Sequence, residues 1–114
     1  MRTITGKIVL PENAPAGTAK LVVIEARDVS RADAPSVVIA EQRLTNVAVK
    51  PNGQVGFKLA VPEVEPNRTL SVRVHVSFDD SGRTKEGDLL TTASYSIPNT
   101  GGAGEPLEIR VAVI

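Results

Sequence analysis

Leu70-Ser71-Val72-Arg73-Val74-His75-Val76-Ser77-Phe78 alternates without a break between apolar and polar side chains. Successive side chains on a strand point to opposite faces. A two-residue period therefore places Leu70, Val72, Val74, Val76 and Phe78 on one face and Ser71, Arg73, His75 and Ser77 on the other. The segment reads as a strand with one face in the core and His75 on the wet face.

The same rhythm extends outward in both directions. Toward the C-terminus, Leu107, Ile109, Val111 and Val113 alternate with Glu108, Arg110 and Ala112; upstream, Val55, Phe57, Leu59 and Val61 do the same. The first strand puts Ile4, Gly6, Ile8 and Leu10 inside and Thr3, Thr5, Lys7 and Val9 outside. Strands are predicted near 2–10, 19–29, 36–48, 54–61, 69–78, 88–97 and 106–113, at the short, regular spacing of a sandwich. Pro and Gly fall between these runs: Pro11, Pro15 and Gly17, then Pro35, then Pro51-Asn52-Gly53. The last is a tight-turn signal, because Pro presets one dihedral and Asn and Gly tolerate positive φ, and a hairpin is expected there. The fold class is all-β, an antiparallel β-sandwich of about seven strands in which barrel-like closure is also open. Residues 1–114 read as one domain.

Composition narrows the function classes. The 114 residues are 41% hydrophobic, mostly Val, Ile, Leu and Ala, and the aromatics are Phe57, Phe78 and Tyr95. Lys plus Arg and Asp plus Glu number 13 each, so no global field draws in nucleic acid or an anionic membrane. Without cysteine there is no disulfide, thiolate site or lipidated cysteine in this sequence. No apolar run approaches the roughly 20 residues of a spanning helix, and the alternating start lacks a signal-peptide core. Membrane insertion is not expected. The chain reads as cytoplasmic as it stands, and periplasmic or envelope-associated if a leader has been removed.

Candidate chemistry is sparse. His75 is the single histidine, and on a wet face between Arg73 and Ser77 it has no geometry that supports a catalytic role, so no catalytic set is read. Asp79-Asp80-Ser81-Gly82 with Glu86 and Asp88 misses the calcium-loop spacing and reads as a solvated turn. Arg83-Thr84-Lys85 has nothing to preorganise it as an inhibitor loop. Gly101-Gly102-Ala103-Gly104 lacks the helix and Lys-Ser/Thr of a phosphate loop. Asn67-Arg68-Thr69 is a chance sequon, and only Tyr95 is left to stack on a sugar or base. Catalytic residues, metal sites and cofactors are expected to be none. A second class stays open, a small-ligand or enzyme module with Asp28, Asp33, Asp79 and Asp88 converging at one end of the sandwich.

One stretch is more specific. Asp28-Val29-Ser30-Arg31-Ala32-Asp33-Ala34-Pro35-Ser36, followed by Ile39-Ala40-Glu41-Gln42, resembles the signature of the YbaY/YscW-like family of bacterial envelope lipoproteins, which includes type III secretion lipoprotein chaperones, or pilotins. Gly53, Phe57 and Val64-Glu65-Pro66 continue the resemblance. It implies a small non-catalytic β-domain of a family whose characterised relatives bind an extended or helical tail of an outer-membrane secretin. Asp28, Ser30, Arg31, Asp33 and Glu41 are the candidate partner-binding residues. The residues also have local structural readings, since Asp28 and Ser30 can bond nearby backbone and Asp33 can close a turn. Of Glu41 and Gln42, one faces solvent and the other the interior. The expected partner is a protein or peptide, received by adding a strand to an open sheet edge or by placing an apolar segment between sheets. Homo-oligomer formation through sheet edges is equally available.

Overall fold

The computed structural model describes residues 2–30, 35–63, 67–79, 86–91, 93, 95–97 and 107–114. Their elements are β1 (Arg2–Val9), β2 (Gly17–Asp28), β3 (Val37–Val49), β4 (Gln54–Val61), β5 (Leu70–Ser77), β6 (Leu89–Thr91), β7 (Tyr95–Ile97) and β8 (Leu107–Val113). The seven expected strands are present within a residue or two at most ends, with the sixth divided into β6 and β7. The fold is all-β. Hydrogen bonding runs in the order β3-β2-β5-β6-β8-β1-β4, with β7 on β5.

Among the described residues the strand pairs are antiparallel except β1 with β8, which run parallel from Gly6 beside Leu107 to Val9 beside Arg110. β8 serves two neighbours in turn: Leu107 to Arg110 lie along β1, and Val111 to Val113 along β6. It thereby carries the sheet round a corner, and the terminal strands β3 and β4 come to lie side by side. The result is a mixed sheet nearly closed into a barrel. Ile8, Ile24, Leu59, Leu70, Val74 and Ile109, each 2% exposed or less, fill its interior.

The turn at Pro51-Asn52-Gly53 forms as expected, with Asn52 at φ 59° and Gly53 N–H donating to Lys50 C=O at 3.0 Å. The hairpin does not. β3 bonds to β2 and β4 bonds to β1, so the turn is a corner between the two edges of the sheet. Its anchorage comes from the end of β1. Leu10 N–H donates to Gly53 C=O at 2.9 Å, and Asn52 N–H to Pro11 C=O at 3.1 Å.

Midway along β2 and β3 the buried face shifts phase. Ala19 and Val49 are buried at one end, and Val22, Ile24 and Ala26 at the other. The register is the same on both sides of this region, but the ladder skips Lys20 opposite Asn46, and Asn46 sits at φ 54°. Asn is among the few residues that tolerate this left-handed conformation, which lets β3 twist without slipping.

The outer face of β5 corrects the reading of His75. Ser71 and His75 are 9% exposed and Ser77 is fully buried, against the wet face expected. β5 is flanked on both edges, by β2 and by β6 and β7. The residue entering β6 also folds over it, bringing Asp88 Oδ2 to 2.9 Å from His75 Nε2. A regular alternation identifies the two faces of a strand; it does not say whether later chain covers the second one.

Candidate functional site

Among the described residues β3 and β4 each pair on one side only, with β2 and β1, and their other edges face each other across a seam. Which backbone groups of β4 point into it follows from two bonds. Leu10 N–H to Gly53 C=O sets the odd-numbered residues of this strand bonding toward β1. In an antiparallel ladder, the alternate residues then point their N–H and C=O the other way. Lys58 N–H agrees, since it donates away from β1, to Gln42 Oε1 on β3 at 3.2 Å. Gln42 thus supplies by side chain the acceptor that a paired strand would supply by main chain, and Gly56 and Ala60 share the outward orientation of Lys58.

Beside this bridge lies an open cleft of about 410 Å³, lined by Thr5, Gly6, Gln42, Gly56, Phe57 and Lys58. Two glycines shape it for different reasons. Gly6 has no room for a side chain: a Cβ there would meet Leu107 O and Phe57 Cζ at 2.7 Å, because the Phe57 ring packs over it. Gly56 has no such neighbour. Among the described residues nothing lies within 4 Å of where its Cβ would stand, and it is exposed. An unstrained, uncrowded glycine in an edge strand leaves space for another backbone to come close.

Where β7 and the first half of β8 fail to pair, one side chain again fills the gap. Tyr95 Oη accepts from Arg110 N–H at 3.0 Å and donates to Arg110 C=O at 3.3 Å. This corrects the reading of Tyr95 as an available stacking ring, since it is half-buried and its hydroxyl is committed to the backbone. Both Arg110 backbone groups are satisfied there, whereas Gln42 serves a single N–H of β4. The β3/β4 seam is therefore the more open of the two discontinuities.

The residues singled out from the sequence lie elsewhere. Asp28 Oδ1 accepts from Ser30 N–H at 2.9 Å and from Ser30 Oγ at 2.5 Å, and its Oδ2 accepts from Arg68 at 2.9 Å. Ser30 Oγ in turn accepts from Thr69 N–H at 2.8 Å, and Val29 N–H donates to Thr69 C=O at 2.8 Å. The hydroxyl and amide of Ser30, and then the Arg68 charge, hold the Asp28 carboxyl below its ordinary pKa against the opposing effect of partial burial. This cluster ties the end of β2 to the start of β5. Glu41 is exposed on the outer face of β3 and pairs with Arg43, while its neighbour Gln42 turns to the seam. Arg31 and Asp33 lie outside the described residues, as do Asp80 to Lys85, Val64 to Pro66 and the glycine run at 101–104. Among the described residues no three metal-capable groups come together. Asp28 and Asp88 are not brought into one site: Asp28 bonds Ser30 and Arg68, and Asp88 faces His75.

Glu41 and Gln42 are the signature residues whose facing the sequence leaves open, and it singles out neither Gln42 alone nor Gly56. The family model for YscW, described as the type III secretion system lipoprotein chaperone, matches residues 1–102. The chain belongs to the YscW family. Among solved structures, it is similar to an alternative pilotin from the type II secretion system of Vibrio cholerae, with a TM-score of 0.69, 23% identity, and coverage of 97% of this chain and 96% of the other. At that identity the likeness establishes the shared fold. Among curated protein sequences there is no significant match. The family's description as a lipoprotein chaperone accords with an envelope placement and gives the cytoplasmic expectation no support. Chaperones of this kind are named for handling a protein and not for a reaction.

Proposed function

We propose that residues 1–114 act as one non-catalytic, pilotin-like domain of the cell envelope that binds the tail of an outer-membrane secretin. The observation that carries this reading is the β3/β4 seam. It is a sheet edge with outward backbone groups beside an open cleft, which offers a protein segment hydrogen bonds without any special side chain. Family membership supports a protein as the partner. The similar fold of a type II secretion pilotin supports the same class. Of the proposed partner-binding residues Asp28, Ser30, Arg31, Asp33 and Glu41, Asp28 and Ser30 matter less for contact than for shape, since they spend their hydrogen bonds on joining β2 to β5.

Fluorescence anisotropy with labelled peptides tiling the C-terminal tail of the host's secretin tests the reading. Saturable binding by one peptide, unmatched by its scrambled version, is the expected result. Equal binding of native and scrambled peptides, or none by either, refutes it.

A further inference from the structure

We propose that the cleft over Gly56 takes an acidic side chain of the partner, an Asp or Glu carboxylate held between the ammonium groups of Lys7 and Lys58. This rests on the proposed function and names the chemistry of the contact, independent of the conformation of the partner's tail. The antiparallel ladder puts Lys7 opposite Gly56 and Thr5 opposite Lys58. Residues directly opposite one another share a face of the sheet, and so do residues two apart on one strand. Thr5, Lys7, Gly56 and Lys58 therefore stand together on one side. The missing side chain of Gly56 leaves a hollow between the two lysines. Among the described residues nothing lies within 4 Å of its Cβ position, and Thr5, Gln42, Gly56 and Lys58 are in the wall of the open cleft there.

Thr5, Lys7, Gln42 and Lys58 all bring donors to this hollow. Gln42 spends its Oε1 on Lys58 N–H at 3.2 Å, which leaves its NH2 to donate, and Thr5 adds a hydroxyl. Local negative charge is lacking. β1 and β4 contain Arg2, Lys7 and Lys58 and no Asp or Glu, although the whole chain carries 13 residues of each sign. The cross-strand neighbour of Lys7 on β8 is Glu108, and Arg110 holds its carboxylate at 3.2 Å. Glu41 on β3 is likewise paired, with Arg43. Among the described residues neither Lys7 nor Lys58 joins an ion pair. Donors around a hollow with two uncompensated cations are complementary to a carboxylate. Two lysines fall short of the cluster of about four to eight basic residues that reads an anionic lipid surface, and a hollow left by one absent side chain suits a single inserted one. A protein carboxylate is therefore the occupant.

The test measures binding of the secretin-tail peptide, and of the same peptide with Asp and Glu replaced by Asn and Gln, to the full chain and to Lys7→Gln, Lys58→Gln and the double variant. The native peptide is expected to bind each single variant about two- to fivefold more weakly and the double variant about tenfold more weakly, as for exposed charge pairs. The neutralised peptide is expected to bind all four proteins alike. Lys20→Gln, the same loss of charge on β2, is expected to leave the affinity unchanged. Melting curves of the variants are expected to coincide with the parent's, since Lys58 is exposed and Lys7 partly so. Equal affinity of the wild type and the double variant for the native peptide, or of the wild type for the two peptides, overturns the carboxylate site and leaves the proposed function standing. A matching loss in Lys20→Gln overturns it too, by showing a diffuse effect of charge. So does capture by phosphatidylglycerol vesicles that the double variant loses while its peptide binding is unchanged. Absence of binding by the wild type overturns both proposals.

Discussion

Gly6→Ala and Gly56→Ala make the same chemical change on paired neighbouring strands and are expected to move stability in opposite directions. At Gly6 the new Cβ would stand 2.7 Å from the carbonyl oxygen of Leu107 and 2.7 and 2.9 Å from Phe57 Cζ and Cε1, where ordinary contact begins at 3.4 Å. The ring can rotate aside at some loss of packing. The carbonyl belongs to β8 at its parallel junction with β1, so relief there means shifting a strand. Overpacking of this kind costs about 1–3 kcal/mol, and the stiffer unfolded chain returns about 0.4–1. The net loss of about 1–2 kcal/mol corresponds to a Tm lower by roughly 4–8 °C in a domain of this size. At Gly56 only the favourable part applies, and Tm rises by a few degrees. Calorimetry or circular dichroism melts of the three proteins decide the matter. Shifts of the same sign in both variants would refute the assignment of Gly6 as crowded and Gly56 as open.

Three further outcomes follow from the packing. Val74→Asp puts a charge at a fully buried position and is expected to cost several kcal/mol in chemical denaturation, a large part of a domain's roughly 5–15; a midpoint like the parent's would mean the register of β5 is wrong. His75→Ala removes a buried partner of the Asp88 carboxylate and is expected to destabilise by about 1–3 kcal/mol; a variant as stable as the parent would show the contact to be inert. The folded pKa of Asp28 is lowered, so its stabilising contribution is complete above the unfolded value of about 3.9 and disappears as the pH falls through the lower folded value. The Tm difference between the parent and Asp28→Asn is accordingly expected at neutral pH and shrinks below about pH 4; a difference that grows on acidification would contradict the cause assigned.

The strands were legible because alternation is a local property that burial imposes on each one separately. Val72, Val74 and Val76 needed no knowledge of their neighbours to be placed inside. Pairing is different, because it depends on chain far away. Pro51-Asn52-Gly53 encodes a turn but not whether the flanking strands bond to each other, and here β1 wins both the turn and β4. Nothing near Gly6 announces a parallel neighbour a hundred residues on. His75 was misplaced for the same reason, since Asp88 reaches it only through the fold, although the short side chains of Ser71 and Ser77 on the same face leave room for such a cover. In the candidate site, the local bonding of Asp28 and Ser30 could be read from residue type. The use of Gln42 could not, because an amide's value there lies in the unpaired N–H of a strand that sequence does not place beside it.

A guest held at the seam touches β4. Titrating ¹⁵N-labelled protein with the secretin-tail peptide and following backbone amide resonances locates that contact residue by residue. The largest shifts are expected at Gly56, Lys58 and Ala60, along with the side-chain amide of Gln42. Shifts confined to the neighbourhood of Asp28, Ser30 and Arg68, with β4 unmoved, would contradict it.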